Sequence, residues 1–174
     1  MANTVSLLAE LQIPQGRLAE ARQNLEKAVR HQRAALELYP SRRALARLLG
    51  SHYEALAETL VRLGEHAAAA QAAAELPLCF PAGASKFRQA AGFLARCVPL
   101  AQQDQTVLAE KRDALAKAYG DQAMLLLRKG LRQKPGYDAE LLKKDPDLAS
   151  IRSRPDFQDW VREVERASSA AAKE

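Results

Sequence analysis

Residues 52–81 read HYEALAETLVRLGEHAAAAQAAAELPLCFP, and their pattern decides the fold. Leu56, Leu60 and Leu63 recur at three- and four-residue spacing, the period of one buried helical face. Gly64 breaks that period where a residue of positive φ ends a helix. A second helix, rich in alanine, is expected from Glu65 to Leu76. Pro81 closes the unit, because proline cannot continue a helix interior. Ala68, Ala69, Ala72 and Ala73 form a seam of small side chains that another backbone can approach closely. The stretch is a helix–glycine–helix hairpin.

Towards the N-terminus the same grammar continues. Thr4 is placed to cap a short helix, Val5 to Leu11, with Leu7, Leu8 and Leu11 on its apolar face. Pro14 ends it and Gly16 follows. A long helix runs from about Arg17 to Tyr39 on the stripe Leu18, Ala21, Leu25, Ala28, Val29, Ala35 and Leu36, interrupted by Gln32. Pro40 stops that helix and Ser41 caps the next. The next runs to Leu63 with Leu45, Leu48, Leu49, Tyr53, Leu56 and Leu60 inward, and Gly50 is a place for a kink.

Towards the C-terminus, Ser85 is a candidate cap for a helix from Lys86 to about Cys97. Phe87, Ala91, Leu94 and Ala95 face inward, and Pro99 falls near its end. Gln102 to Gln105 read as a loop. Thr106 to Lys134 form a long helix, bent around Gly120 and stopped by Pro135 and Gly136. Asp145-Pro146 and Pro155 each open a short helix, Pro146 to Ser153 and Pro155 to about Ala167. Leu148, Ile151, Phe157, Trp160, Val161 and Val164 are the core of that end.

Composition agrees with an all-α chain. Of 174 residues, 48 % are hydrophobic but only 5 % aromatic; the difference is alanine and leucine, both strong helix formers. No stretch alternates apolar and polar residues long enough to make a strand. No apolar run approaches the ~20 residues that span a bilayer. MANTVSLLAELQ lacks the basic start and long apolar core of a signal peptide, so a cytoplasmic protein without membrane contact is expected. Cys79 and Cys97 are too few and too far apart for a disulfide framework or a zinc knuckle, and read as buried free thiols.

The first and second hairpins echo each other. Gly16 and Gly64 lie 48 residues apart, each with an alanine five positions on, Ala21 and Ala69. A period in this range suggests a helical solenoid. Relative to Gly64, the residues Tyr53, Leu56, Ala57, Leu60, Ala69, Leu76 and Pro81 match a pattern of large aromatic, Leu, small, large apolar, Ala, small and Pro. That pattern resembles the tetratricopeptide repeat (TPR), with Ala57 in place of the usual Gly and Leu76 in place of a smaller residue. Leu8, Ala9, Ala21, Leu25 and Ala28 fall at corresponding places in the first repeat. Ala123 and Leu127 do so in a degenerate third. The segments FLARCVPLA, AYGDQAMLLLRKGL and LKKDPDLASIRSRPDF resemble the TPR regions that follow serine/threonine kinase domains in planctomycete bacteria.

This resemblance implies an all-α, right-handed α-α superhelix of about three helical pairs with a helical C-terminal cap. The expected layout is one repeat domain over 1–167: repeats at about 4–40, 41–83 and 84–136, a cap at 137–167 and a frayed tail at 168–174. It also implies a non-catalytic protein-interaction scaffold associated with a bacterial kinase. The kinase's Gly-rich loop, HRD-type segment and DFG-type metal ligand are absent from the sequence. By repeat geometry a protein or peptide partner lies in a concave groove lined by the first helix of each pair. Its candidate lining residues are Glu54, Glu58, Arg62, Arg88 and Arg96.

No other chemistry competes strongly. His31, His52 and His66 are scattered without ligand spacing, so no metal site is expected. No GxSxG elbow occurs, and no catalytic or cofactor-binding residue is assigned. The formal net charge of +5, from 26 basic and 21 acidic residues, permits acidic partners without demanding them. Arg42, Arg43 and Arg47 gather at a helix start, against the helix dipole. Such clusters leave a nucleic-acid-binding repeat as one alternative, although no interleaved aromatics support it. Self-association through the Ala-rich seam or an exposed end, giving a homo-oligomer, is the other.

Overall fold

The computed structural model describes residues 2–80, 84–133 and 138–171. Every regular element among them is helical. The expected helix stops Pro81, Pro135 and Gly136 lie outside the described residues. The chain divides into two units, Met1–Pro81 and Ala82–Glu174.

The first unit holds α1 (Ala2–Gln12), α2 (Leu18–Leu38), α3 (Arg43–Arg62) and α4 (His66–Cys79). Each packs against the next, as short connections require of helical hairpins. The two turn glycines adopt φ 75° at Gly16 and 78° at Gly64, the left-handed region that a residue with a Cβ occupies at a cost. At Gly64 the backbone N–H groups of Gly64 and Glu65 reach back to the carbonyls of Val61 and Leu60, which satisfies the end of α3. The expected core of this hairpin is buried: Tyr53, Leu56, Ala57, Leu60, Ala69 and Leu76.

Several local expectations are corrected. Thr4 lies inside α1, and neither it nor Ser41 caps a helix; α2 and α3 start after Arg17 and Arg42, with no side-chain cap bond at either. The seam of α4 is Ala69, Ala70, Ala72 and Ala73, while Ala68 is only half-buried. That helix also runs past Leu76 and takes Pro77 into its last turn. Leu48 is exposed at 36 %, whereas Gln32, which interrupts the α2 stripe, is buried at 4 %. Its Nε2 donates to the Leu45 carbonyl at 3.0 Å, so α2 and α3 are joined by a satisfied polar contact rather than an apolar one.

Gly50 does not divide α3, which runs unbroken through it. It makes room instead: a Cβ there would overlap the ring of Phe80 at the end of α4. Gly50→Ala gains ~1 kcal/mol of helix propensity but overpacks the site, at ~1–3 kcal/mol. A net loss of roughly 1 kcal/mol in chemical denaturation is expected. In a Phe80→Ala background the same substitution is expected to stabilise, because the obstruction is gone; a double-mutant cycle reads the difference.

The second unit pairs α5 (Ala84–Gln103) closely with α6 (Ala109–Gln133). Ser85 lies within α5 rather than capping it, and α5 carries Pro99 in its interior. Phe87, Ala91, Leu94 and Ala95 are buried as expected, as are Ala123 and Leu127 of α6. The turn after α5 is held by Asp104, whose Oδ1 accepts from the Thr106 amide at 2.8 Å and its hydroxyl at 2.6 Å. Thr106 therefore belongs to the turn, not to α6. The tail holds α7 (Ala139–Lys144), a 3-10 helix (Pro146–Ile151) and α8 (Pro155–Ala171). Asp145 caps the 3-10 helix by accepting from the Asp147 amide at 3.1 Å, which is the acid-before-proline signal in its expected place. The 3-10 helix packs on α5, where the Ser150 hydroxyl donates to the Ala95 carbonyl. Leu148, Ile151, Phe157, Trp160, Val161 and Val164 are all buried.

Candidate functional site

The residues proposed to line a partner groove fall on two helices. Glu54, Glu58 and Arg62 stand at four-residue intervals on α3, so they share one face. Arg62 is exposed and the two glutamates half-buried. Arg47 and Ser51 continue the same stripe, and the Ser51 hydroxyl donates to the Arg47 carbonyl at 3.3 Å. The stripe presents Arg at both ends and Glu in the middle.

Arg88 and Arg96 share a face of α5, and both are engaged with the tail of their own unit. The Arg88 guanidinium pairs with Asp145, whose side chain is only 12 % exposed. Arg96 lies 3.8 Å from Asp147 and 5.7 Å over the Phe93 ring. These arginines help seat the 3-10 helix, and any partner must share them with Asp145 and Asp147. Exposed pairs contribute little, ~0.2–1 kcal/mol each; the half-buried Arg88–Asp145 contact also satisfies a carboxylate that would otherwise lack its cation.

One surface escapes a sequence reading. α1 turns Ser6, Ala9 and Gln12 inward, at 4 %, 0 % and 4 % exposure, and leaves Leu7, Leu8 and Leu11 outward at 58 %, 48 % and 65 %. The expected apolar core face of α1 is thus its solvent face. Polar contacts explain the inversion: Asn24 of α2 donates to Gln12 Oε1 at 2.9 Å, and Gln12 Nε2 donates to Glu20 at 3.4 Å. The available signal was the spacing of Ser6, Ala9 and Gln12, a small and polar stripe able to meet a polar neighbour closely.

Other reactive groups are quiet. Burial pushes the Cys79 thiol up to about 11 and the Cys97 thiol up to about 12, so neither forms a thiolate at neutral pH. His52 and His66 are buried and His31 is exposed. Among the described residues no group of three His, Cys, Asp or Glu side chains could hold a metal ion. No described helix is long and apolar enough to cross a membrane. In α3 the first turn carries Arg43 and no acidic residue; Arg42 stacks 5.3 Å over the Tyr39 ring.

Comparison with known proteins returns no matching family model, no matching curated protein and no matching solved structure.

Proposed function

We propose that the chain is a non-catalytic, TPR-like protein-interaction scaffold, cytoplasmic, and a partner-binding region associated with a bacterial serine/threonine kinase. The observation that carries the interaction role is the outward leucine face of α1. Three large apolar side chains on one helix face leave water only when another surface covers them, and such patches mark interaction sites. The repeated helix–glycine–helix hairpins support the TPR-like part of the reading. The tail motifs support the kinase association. Glu54, Glu58 and Arg62, on one face of α3, are the polar groups proposed to fix a partner's register.

The test is co-migration of the purified chain with serine/threonine kinases of its own genome on a sizing column. Leu8→Glu with Leu11→Glu is expected to weaken a complex at least tenfold, since two charges would be forced into an apolar contact. Helicity should be unchanged, because both side chains already face solvent. Absence of any complex, or equal binding by the variant, would overturn the proposal. A second reading rests on exposed Arg42, Arg43 and Arg47 with Arg42 stacked on Tyr39: binding of single-stranded nucleic acid. Measurable oligonucleotide affinity that falls steeply with salt would favour it.

A further inference from the structure

A cleft of about 360 Å³ opens in the second unit, lined by Arg88 of α5, by Asp138, Leu141 and Lys144 around α7, and by Asp145 and Pro146. Its volume lies at the small end of ligand pockets. The hydrogen-bonding capacity of its walls is unevenly spent. Asp138 is occupied as the cap of α7, accepting from the Glu140 and Leu141 amides at 2.9 and 3.3 Å. Asp145 is occupied twice, one oxygen taking the Asp147 amide and the other the Arg88 guanidinium. Three of the four carboxylate oxygens, Oδ1 of Asp138 and both of Asp145, thus accept from protein donors.

The donors are in surplus. Only Nη1 of Arg88 is spent on the described residues, out of five N–H groups that guanidinium carries. The Lys144 ammonium stands 3.6 Å from Glu140, an ion pair beyond hydrogen-bond length. Beside these cations Leu141 is 68 % exposed and Pro146 is exposed. Free donors call for an acceptor-rich ligand, and an arginine fork suits a planar carboxylate. Two cations face two acids across the cleft, so the lining has no net charge. Neither anion is offset by excess positive charge, so a single negative charge is repelled less by Asp138 and Asp145 than the two of a phosphate dianion.

We propose that this cleft binds an aliphatic monocarboxylate, its carboxylate on Arg88 and Lys144 and its alkyl part over Leu141 and Pro146. A free short-chain acid and a chain-terminal aliphatic residue share that chemistry. The test is amide chemical-shift titration of the full chain with N-acetyl-leucine, N-acetyl-leucinamide and hexanoate. N-acetyl-leucine is expected to shift the Leu141 and Lys144 amides saturably. The amide, which lacks the charge, should bind at least about tenfold more weakly. Hexanoate binding as well as N-acetyl-leucine would identify the free acid as sufficient; weaker binding would identify the chain terminus. Lys144→Ala, at an exposed side chain, and Arg88→Lys, which keeps the charge beside Asp145 but loses the fork, should each weaken binding severalfold with the fold retained. No saturable shift, equal binding of acid and amide, or undiminished binding by both variants would overturn the proposal.

Discussion

Trp160→Ala is expected to unfold the second unit at temperatures where the native chain stays folded. Trp160 is fully buried, with Leu148, Ile151, Phe157 and Val164 buried around the same tail. Its ring lies 5.9 Å from that of Phe157, tilted at 54°, within the centroid range of favourable aromatic pairs. Truncation to alanine removes the largest side chain of this core and leaves a cavity, which costs ~3–5 kcal/mol. A domain has ~5–15 kcal/mol in all. For a unit of this size the melting temperature should fall by roughly 15 °C or more. Thermal melting followed by circular dichroism checks this. Since Trp160 is the one tryptophan of the chain, Phe157→Leu provides a companion in which the indole still reports. A Trp160→Ala chain melting within a few degrees of native would show that the tail contributes little to the unit.

His52→Leu is expected to do the reverse in the first unit. His52 is 2 % exposed, and both ring nitrogens are buried with no hydrogen-bond partner among the described residues. Burial lowers its pKa below the ordinary value, and the charge of Glu10 on α1 opposes this only in part. The consequence for stability has a definite sign. Above about pH 6.5 the imidazole is neutral both folded and unfolded, and contributes no pH dependence. Below it the unfolded chain takes up a proton that the folded chain refuses, so stability falls as the solution becomes acidic. Leucine has a similar size and no polar atom to strand. The substitution should stabilise by ~1–3 kcal/mol at neutral pH, with a larger gain in mild acid. Denaturant titrations at neutral and mildly acidic pH test both parts. A destabilised variant, or an acid-dependent loss as steep as the native one, would contradict this account.

Local features were legible in the sequence where a single residue carries the constraint. Gly16 and Gly64 mark turns because positive φ is cheap only for glycine, and Asp145 before Pro146 marks a cap because an acid there reaches the next amides. The 3.6-residue period placed the tail's core correctly because several large apolar side chains repeat there on one face. Caps at Ser41 and Ser85 were not legible, because the helices start or extend according to tertiary contacts that a lone hydroxyl does not decide. α7 was hidden because six residues show too little periodicity, although Asp138 and its accepting carboxylate were a usable signal. The face of α1 shows a deeper limit: periodicity reveals an apolar stripe, but not whether anything covers it. The same applies to Arg88 and Arg96. Their shared face is readable from spacing, but Asp145 lies 57 residues away from Arg88, and such a pairing exists only once the tail has folded back.

The close approach of the 3-10 helix to α5 constrains which related sequences can share this tail. A Cβ built on Gly92 would lie 3.0 Å from the Asp147 Cβ, tighter than ordinary van der Waals contact. The tail therefore rests close on bare backbone at that point, and a side chain at position 92 requires Asp147 to yield. Position 92 then works as a diagnostic letter. Chains that keep both a glycine there and the PDLASI segment should carry this folded-back tail, and chains that lose the glycine should have lost the segment or repositioned it.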